Sequence, residues 1–327
     1  MLSYIVRRIL YMIPTLFAIS LVVFFIIQLP PGDYLTTLIA ALSSQGETVN
    51  QDAILALKDR YGLDQPWYVQ YFYWMRNILL HFDFGNSFEY NRPVTDLIGQ
   101  RLLFTVMISI GALLLTWAIA FPVGIYSAVR KYTLADYILT FFAFLGLAIP
   151  EFMIALILLY VSFKYFDQSV GGLFSSQYVD APWSFAKFAD LMAHLWIPIV
   201  IVGVASTAAL IRIMRANLMD ELNKPYVTTA RAKGLTEHRL IMKYPVRMAL
   251  NPFVSTSGFI LPGLVSGETI IGVVLSLPTM GPLLLRALQS QDMYLAGAII
   301  LMTSVLTVIG TLLSDILLAW LDPRIRY

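Results

Sequence analysis

No cysteine occurs among the 327 residues. Thiol catalysis, disulfide staples and thiolate metal sites are thereby excluded. Charge is scarce: Asp, Glu, Lys and Arg make up 13% of the chain, about half of what soluble domains carry. So few charges cannot cover a surface that faces water, so the bulk solvent of this chain is expected to be lipid. No Gly-Lys pair occurs, hence no G-x-x-x-x-G-K-[ST] phosphate loop, and ATP is not bound by that route. The three histidines, His81, His194 and His238, stand far apart, with no zinc-type spacing. There is no G-x-S-x-G elbow, and no paired groups for proteolysis lie within apolar stretches. The expectation is a chain that is not an enzyme, with no catalytic residue, no metal and no cofactor of its own.

Apolar residues fill the space those absences leave, at 58% of the chain with a mean hydropathy of +0.73. A membrane-spanning helix needs about 20 mostly apolar residues. Six stretches meet that length: Ile9–Leu29, Leu102–Val129, Leu134–Phe163, Leu191–Ile211, Phe253–Leu275 and Leu295–Trp320. The first follows Arg7 and Arg8 but is long enough to span, and no small-x-small cleavage site follows it, so it reads as a retained helix rather than a signal peptide. The fold class expected is an all-α membrane protein with six transmembrane helices.

Most of the 22 basic residues fall on one side of these spans. They are Arg7, Arg8, Arg130, Lys131, the cluster from Arg212 to Arg247, and Arg324 and Arg326. The positive-inside rule puts that side, with both termini, in the cytoplasm. Residues 30–98 then lie outside. Within them, DAILALKDRYGLDQPWYVQYFYWMRNILLHF has apolar and aromatic residues at helical spacing, punctuated by Gly62 and Pro66. A small helical cap lying on the outer leaflet is expected, with a plain connecting loop as the alternative. The parts are therefore 1–29, the first helix; 30–98, the extracytoplasmic segment; and 99–327, a five-helix core with a cytoplasmic loop at 212–250.

Ionisable residues inside spans mark pathways or gates. Glu151, just after Pro150 in LAIPEFMIALILLY, is the main candidate. It either lines a pathway or caps a helix break at Pro150 or pairs with a partner subunit. Glu268 is a second candidate. Glu268 and Asp315 stand nearer span ends and are expected to face water.

The stretch VTTARAKGLTEHRLIMKYPVR, Val227 to Arg247, is out of character with its surroundings. Asn223-Lys224-Pro225 signals a helix start. Gly234 sits where a left-handed helix-ending residue belongs. Thr236 and Glu237 suit the start of a second helix, and Leu240, Ile241 and Tyr244 give it one apolar face. Pro245 closes or kinks it. Ala230 and Ala232 would let a partner surface approach, and Arg231 and Lys233 would pair with carboxylates there. A solvated basic loop touching anionic lipid is the plainer alternative, but it needs no defined helix–glycine–helix unit.

At TTARAKGL the residues resemble the cytoplasmic "EAA" loop of ABC importer permeases, in the form found in the peptide/nickel branch. The Glu-Ala-Ala positions fall on Thr228, Thr229 and Ala230, the first two departing from the general pattern, and the glycine on Gly234. VRMALNP resembles that branch's continuation. YIVRRILYMIPTLFAISLVVF resembles the branch's opening, and PGD at Pro31–Asp33, YGLDQPWYVQY, FDFGNSF and RPV resemble its outer segment, so that the resemblance extends over nearly the whole chain; the ending DPRIRY resembles a signature of its B-type subunit. GETIIGVVLSLPTMG resembles its E-x-x-x-x-L-P-G-x-G stretch, with Thr279 in place of the first glycine.

The resemblance implies a type I ABC importer permease of the oligopeptide/dipeptide/nickel class in the inner membrane. It implies a second homologous permease, two ABC ATPase subunits that hold ATP and Mg, and an extracytoplasmic substrate-binding protein as partners. It implies no nucleic acid. Thr228, Thr229, Ala230, Arg231, Ala232, Lys233, Gly234 and Leu235 would couple the chain to an ATPase. Peptides are the expected cargo, with oligosaccharides or nickel as alternatives. The inserted-looking segment Gln168–Trp196 does not decide among them. From other classes come an ATP-independent secondary transporter using Glu151, and a membrane scaffold with no transport role.

Overall fold

The structure, a computed structural model, describes residues 2–28, 65–166 and 171–321. Gly62, most of the expected outer segment and the DPRIRY ending lie outside the described residues.

Helices carry nearly all the order. The long ones are α1 (Leu2–Gln28), α2 (Trp67–His81), α3 (Val94–Val129), α4 (Leu134–Ala148), α5 (Glu151–Phe166) and α6 (Phe185–Leu222). Two short helices follow, α7 (Pro225–Ala232) and α8 (Glu237–Lys243), and then α9 (Pro245–Val274), α10 (Met280–Gln289) and α11 (Met293–Leu321). A two-residue antiparallel ladder pairs Asn86 with Pro93 and Ser87 with Arg92. Among the described residues, α1, α3, α6 and α11 are each long and apolar enough to cross a bilayer.

The expected third span is not one straight helix. It divides into α4 and α5, bent by 98°. Pro150 has no amide hydrogen to donate, and its ring pushes Ile149 into extended backbone, φ −87° and ψ 123°. The fourth expected span, Leu191–Ile211, is the middle of a helix of 38 residues. At 1.5 Å per residue α6 is about 57 Å long, well beyond a bilayer core of about 30 Å. The basic loop thus begins as a helical extension of α6, not as a loop at Arg212. The fifth expected span lies in α9, which begins at Pro245.

Residue contacts group the chain into two compact units. One contains residues 104–278 with both chain ends. There α6 packs on α9, with Met214 and Leu218 against Val246, Ala249 and Phe253. A second apolar cluster joins Ala155 of α5, Ile201 of α6 and Ile271 of α9. Residues 171–184 fold over the start of α6 and are held by buried Lys187, whose Nζ donates to the Val179 and Ala181 carbonyls at 3.2 and 2.6 Å. The Phe174 ring lies 4.9 Å from that ammonium. The aromatic rings Phe174 and Trp183 of the inserted segment therefore serve an internal lysine.

The other unit contains residues 10–103 and 279–306. Here α2 crosses the C-terminal half of α1. Ser20 hydrogen-bonds the Tyr71 hydroxyl at 2.8 Å, Phe24 meets Trp74 at 5.7 Å between ring centroids, and Gln28 donates to Gln70 at 3.1 Å. Pro66 precedes α2, as its punctuating role predicts. Buried Asp292 ties the small ladder to the start of α11, accepting from Ser87 Oγ at 2.5 Å, the Glu89 amide at 3.2 Å and the Leu295 amide at 3.1 Å.

Candidate functional site

The segment between α6 and α9 folds as two short helices joined by a glycine turn. Lys224 is extended, φ −74° and ψ 148°, because Pro225 follows it. Pro225 occupies the first helical position of α7, where a missing amide hydrogen costs nothing. Asn223 does not cap α7; it ends α6 and donates from Nδ2 to the Met219 carbonyl at 3.0 Å. Tyr226 donates its hydroxyl to Glu221 Oε2 at 2.6 Å, fastening α7 to the end of α6. Burial and the neighbouring Glu221 carboxylate both push the Tyr226 phenol above its ordinary range.

After Lys233 the chain reverses at Gly234, φ +77°. A Cβ there would meet nothing within 4 Å. The demand for glycine is therefore conformational, not steric. Thr236 stands at the cap of α8, but its side chain makes no cap bond. Glu237, in the first turn of α8, is instead gripped by Arg231 from α7. Arg231 Nε donates to Glu237 Oε1, and Nη2 donates to Oε2 at 3.1 Å. Arg231 thus already has a carboxylate within this chain, where a partner's was expected. That hydrogen bond holds the Glu237 carboxyl below its usual value, and Glu237 raises Arg231 in turn.

The two helices share a small core. Val227, Ala230 and Leu240 are buried together, with Leu235 and Ile241 packed against them. Ala230 therefore faces its own helix partner rather than an approaching surface. Thr228, Thr229, Arg231, Ala232, Lys233 and Gly234 are exposed. Tyr244 is exposed as well and does not complete the apolar face. At Tyr244, φ −117° and ψ −73°, the chain kinks, and Pro245 starts α9 rather than ending α8. The pair is therefore set on two rods that pack together, the α6 extension and the start of α9.

The pathway candidates fall elsewhere. Glu151 is the first residue of α5, half-buried at the bend behind Pro150, where a carboxylate complements a helix start. Glu268 does not face water: it is fully buried in α9, with Thr105 Oγ1 at 3.5 Å from Oε1. Asp315 is half-buried and paired with Arg8 at 3.1 Å. Thr279 is extended, φ −117°, so the glycine it replaces is not required there. Among the described residues, no group of three His, Cys, Asp or Glu could hold a metal.

Sequence reasoning missed Asp136, a buried carboxylate in the first turn of α4 gripped by Arg215. A signal existed: Thr133 and Asp136 have capping-box spacing, and Thr133 Oγ1 accepts from the Asp136 amide at 3.3 Å.

Two family models match the chain. "Binding-protein-dependent transport system inner membrane component" covers residues 120–327, and its N-terminal counterpart covers residues 1–109. The oligopeptide transport system permease AppB of Bacillus subtilis is 35% identical, over 100% of both chains. The glutathione transport system permease GsiC of Escherichia coli is 32% identical, again over 100% of both. A chain of the MetNI methionine ABC transporter, in an inward-facing crystal form, superposes with a TM-score of 0.54 at 14% identity, covering 69% of this chain and 96% of that one. That likeness concerns the fold, which is thereby of the ABC importer permease kind. By the extent of these matches, the chain belongs to the family of inner-membrane permease components of binding-protein-dependent transport systems.

Proposed function

We propose that the Pro225–Lys243 helix pair is the surface through which ATPase subunits move this chain, and that the cargo is peptide. One observation carries the first part. Val227, Ala230 and Leu240 lock the two helices to each other, while Thr228, Thr229, Arg231, Ala232, Lys233 and Gly234 face outward. A pair with its own core moves as a body, which is what force transmission requires. Leu235 secures the turn from within. Peptide cargo is supported by the permeases of oligopeptides and glutathione among the relatives. Oligosaccharide and nickel remain the alternatives.

In this reading the chain crosses the inner membrane six times, through α1, α3, the bent α4–α5 pair, α6, α9 and α11. Both termini and the helix pair lie in the cytoplasm, and residues 30–98 lie outside. The parts are 1–29, 30–98 and 99–327, with the coupling segment at 212–250. A second permease completes the pathway; Glu151 lines or gates it, and Glu268, buried in α9, acts only as a gate. Two ATPase subunits hold ATP and Mg, and an external binding protein delivers cargo.

The test uses the absence of cysteine. Lys233→Cys puts a single thiol in this chain. In the assembled complex it should cross-link to an ATPase subunit through a short bifunctional reagent. No cross-link in an intact complex would sink the coupling role. Mass spectrometry of ligand released from the binding protein decides the cargo. A second reading, ion-coupled transport without ATP, draws support from the α4–α5 bend, which starts a half-helix at Glu151. Uptake by the chain alone in ATP-free vesicles would favour it.

A further inference from the structure

Arg215 lies on the part of α6 that runs past the expected span toward the helix pair. It donates from Nε to Asp136 Oδ1 at 3.0 Å and from Nη2 to Oδ2 at 2.9 Å. Asp136 is 1% exposed. Its carboxylate also accepts from the Tyr132 amide at 2.9 Å and from Thr140 Oγ1 at 3.3 Å. Four donors fix both the position and the plane of that carboxylate. A guanidinium fork on such a plane then fixes the separation and the twist of the helix that bears it.

The rest of the α4–α6 seam is different in kind. Apart from Thr207 it is lined by apolar side chains, and with α3 it holds a cleft of about 310 Å3, bordered by Phe142, Ala143 and Gly146 on α4 and by Val204 and Ala208 on α6. Apolar contact is non-directional, so it opposes separation but not sliding. The ion pair supplies the directional constraint. It does so at a strategic place: α4 leads from Asp136 to the bend at Ile149–Pro150 and to Glu151, and α6 leads from Arg215 to the helix pair.

We propose that Asp136 and Arg215 are positioning residues for transport, joining α4 and the α6 extension into one lever that carries displacement of the helix pair to the α4–α5 bend. The inference rests on the coupling role proposed above. If the pair only braced the fold, its loss would change the α4–α6 spacing alike with and without nucleotide. A lever must hold them together while the helix pair is being driven.

The experiment uses the complete complex of this chain with its partner permease and ATPases. Spin labels go on Phe141→Cys of α4 and Asp220→Cys of the α6 extension, both exposed. The distance is measured without nucleotide and with ATP trapped by vanadate. With the pair intact, one distance should persist in both states. With Asp136→Asn, the distance should shift on trapping. A shift with the pair intact, or none in the variant, overturns the proposal.

A second variant covers failure of the first to assemble. A Cβ on Gly146 would lie 3.0 Å from Val204 Cγ1, a spacing that a disulfide between the two positions can bridge. If α4 and α6 move as one, oxidised Gly146→Cys/Val204→Cys should retain the ATP hydrolysis of its reduced form. Loss of hydrolysis on oxidation overturns the proposal. With the Lys233 cross-link intact, either failure overturns the lever alone; loss of that cross-link overturns the coupling role itself.

Discussion

Arg231 on α7 grips Glu237 on α8 across the turn at Gly234, with Nη2 3.1 Å from Oε2. The fork closes the outer side of a helix pair whose inner side is sealed by Val227 and Leu240. Both charged side chains are largely exposed, so the pair shapes the turn more than it stabilises the fold.

The depressed Glu237 pKa gives that pair a pH signature. Its contribution is complete above the ordinary Glu value of about 4.3 and is lost as pH falls through the lower folded value. Hydrogen exchange at the turn, corrected for intrinsic rate, should rise in that acid window. In Glu237→Gln it should already be raised at neutral pH. Identical profiles for the two proteins would refute the assignment.

Gly234→Ala forces a side chain into left-handed backbone, at a local cost of about 1–2 kcal/mol. Gly234→Pro cannot adopt the conformation at all. Uptake in cells should fall with Ala and vanish with Pro while the membrane level of the chain holds. Normal uptake with Pro would show that the turn transmits nothing.

Lys233→Glu reverses the exposed charge beside the turn. Association of the ATPase with the purified permease pair should weaken, and the wild-type association should itself weaken with added salt. An affinity indifferent to both changes would exclude a charged contact there.

Asp292→Ala leaves three donors without their acceptor, those of Ser87, Glu89 and Leu295. The cost should be about 1–3 kcal/mol for each buried donor that finds no water. Thermal unfolding in detergent should shift down clearly, more than for Lys187→Met, which frees two carbonyls that can take up water. An unchanged melting temperature would contradict the described hub.

Glu151→Gln removes the charge at the α4–α5 bend and keeps the shape. If Glu151 gates or lines the pathway, uptake or basal ATP hydrolysis by the assembled complex should change. If both are normal, its role is confined to the start of α5.

Several features were legible in the sequence because they depend on local chemistry. Apolar run length marked α1, α3 and α11. The Gly234 turn and the Pro225 start were legible too, since glycine permits a positive φ and proline fixes φ near the helical value. The distinct motifs spread along the chain pointed to the permease family, and the family models agree. What composition could not supply was the continuation of helices through charge. α6 runs on through Arg212 and Arg215 because its inner face packs on α9, and packing overrides the polarity that suggested a loop. The direction of a charged side chain was equally out of reach. Glu268 lies buried, Arg231 is engaged by Glu237, and Arg215 meets Asp136 from 79 positions away in the chain. Residue type and local spacing were enough to read the apolar runs, the glycine and proline signals and the family, because each is written in neighbouring residues. Which charges meet came from the way helices cross, because an ion pair joins side chains from distant parts of the chain.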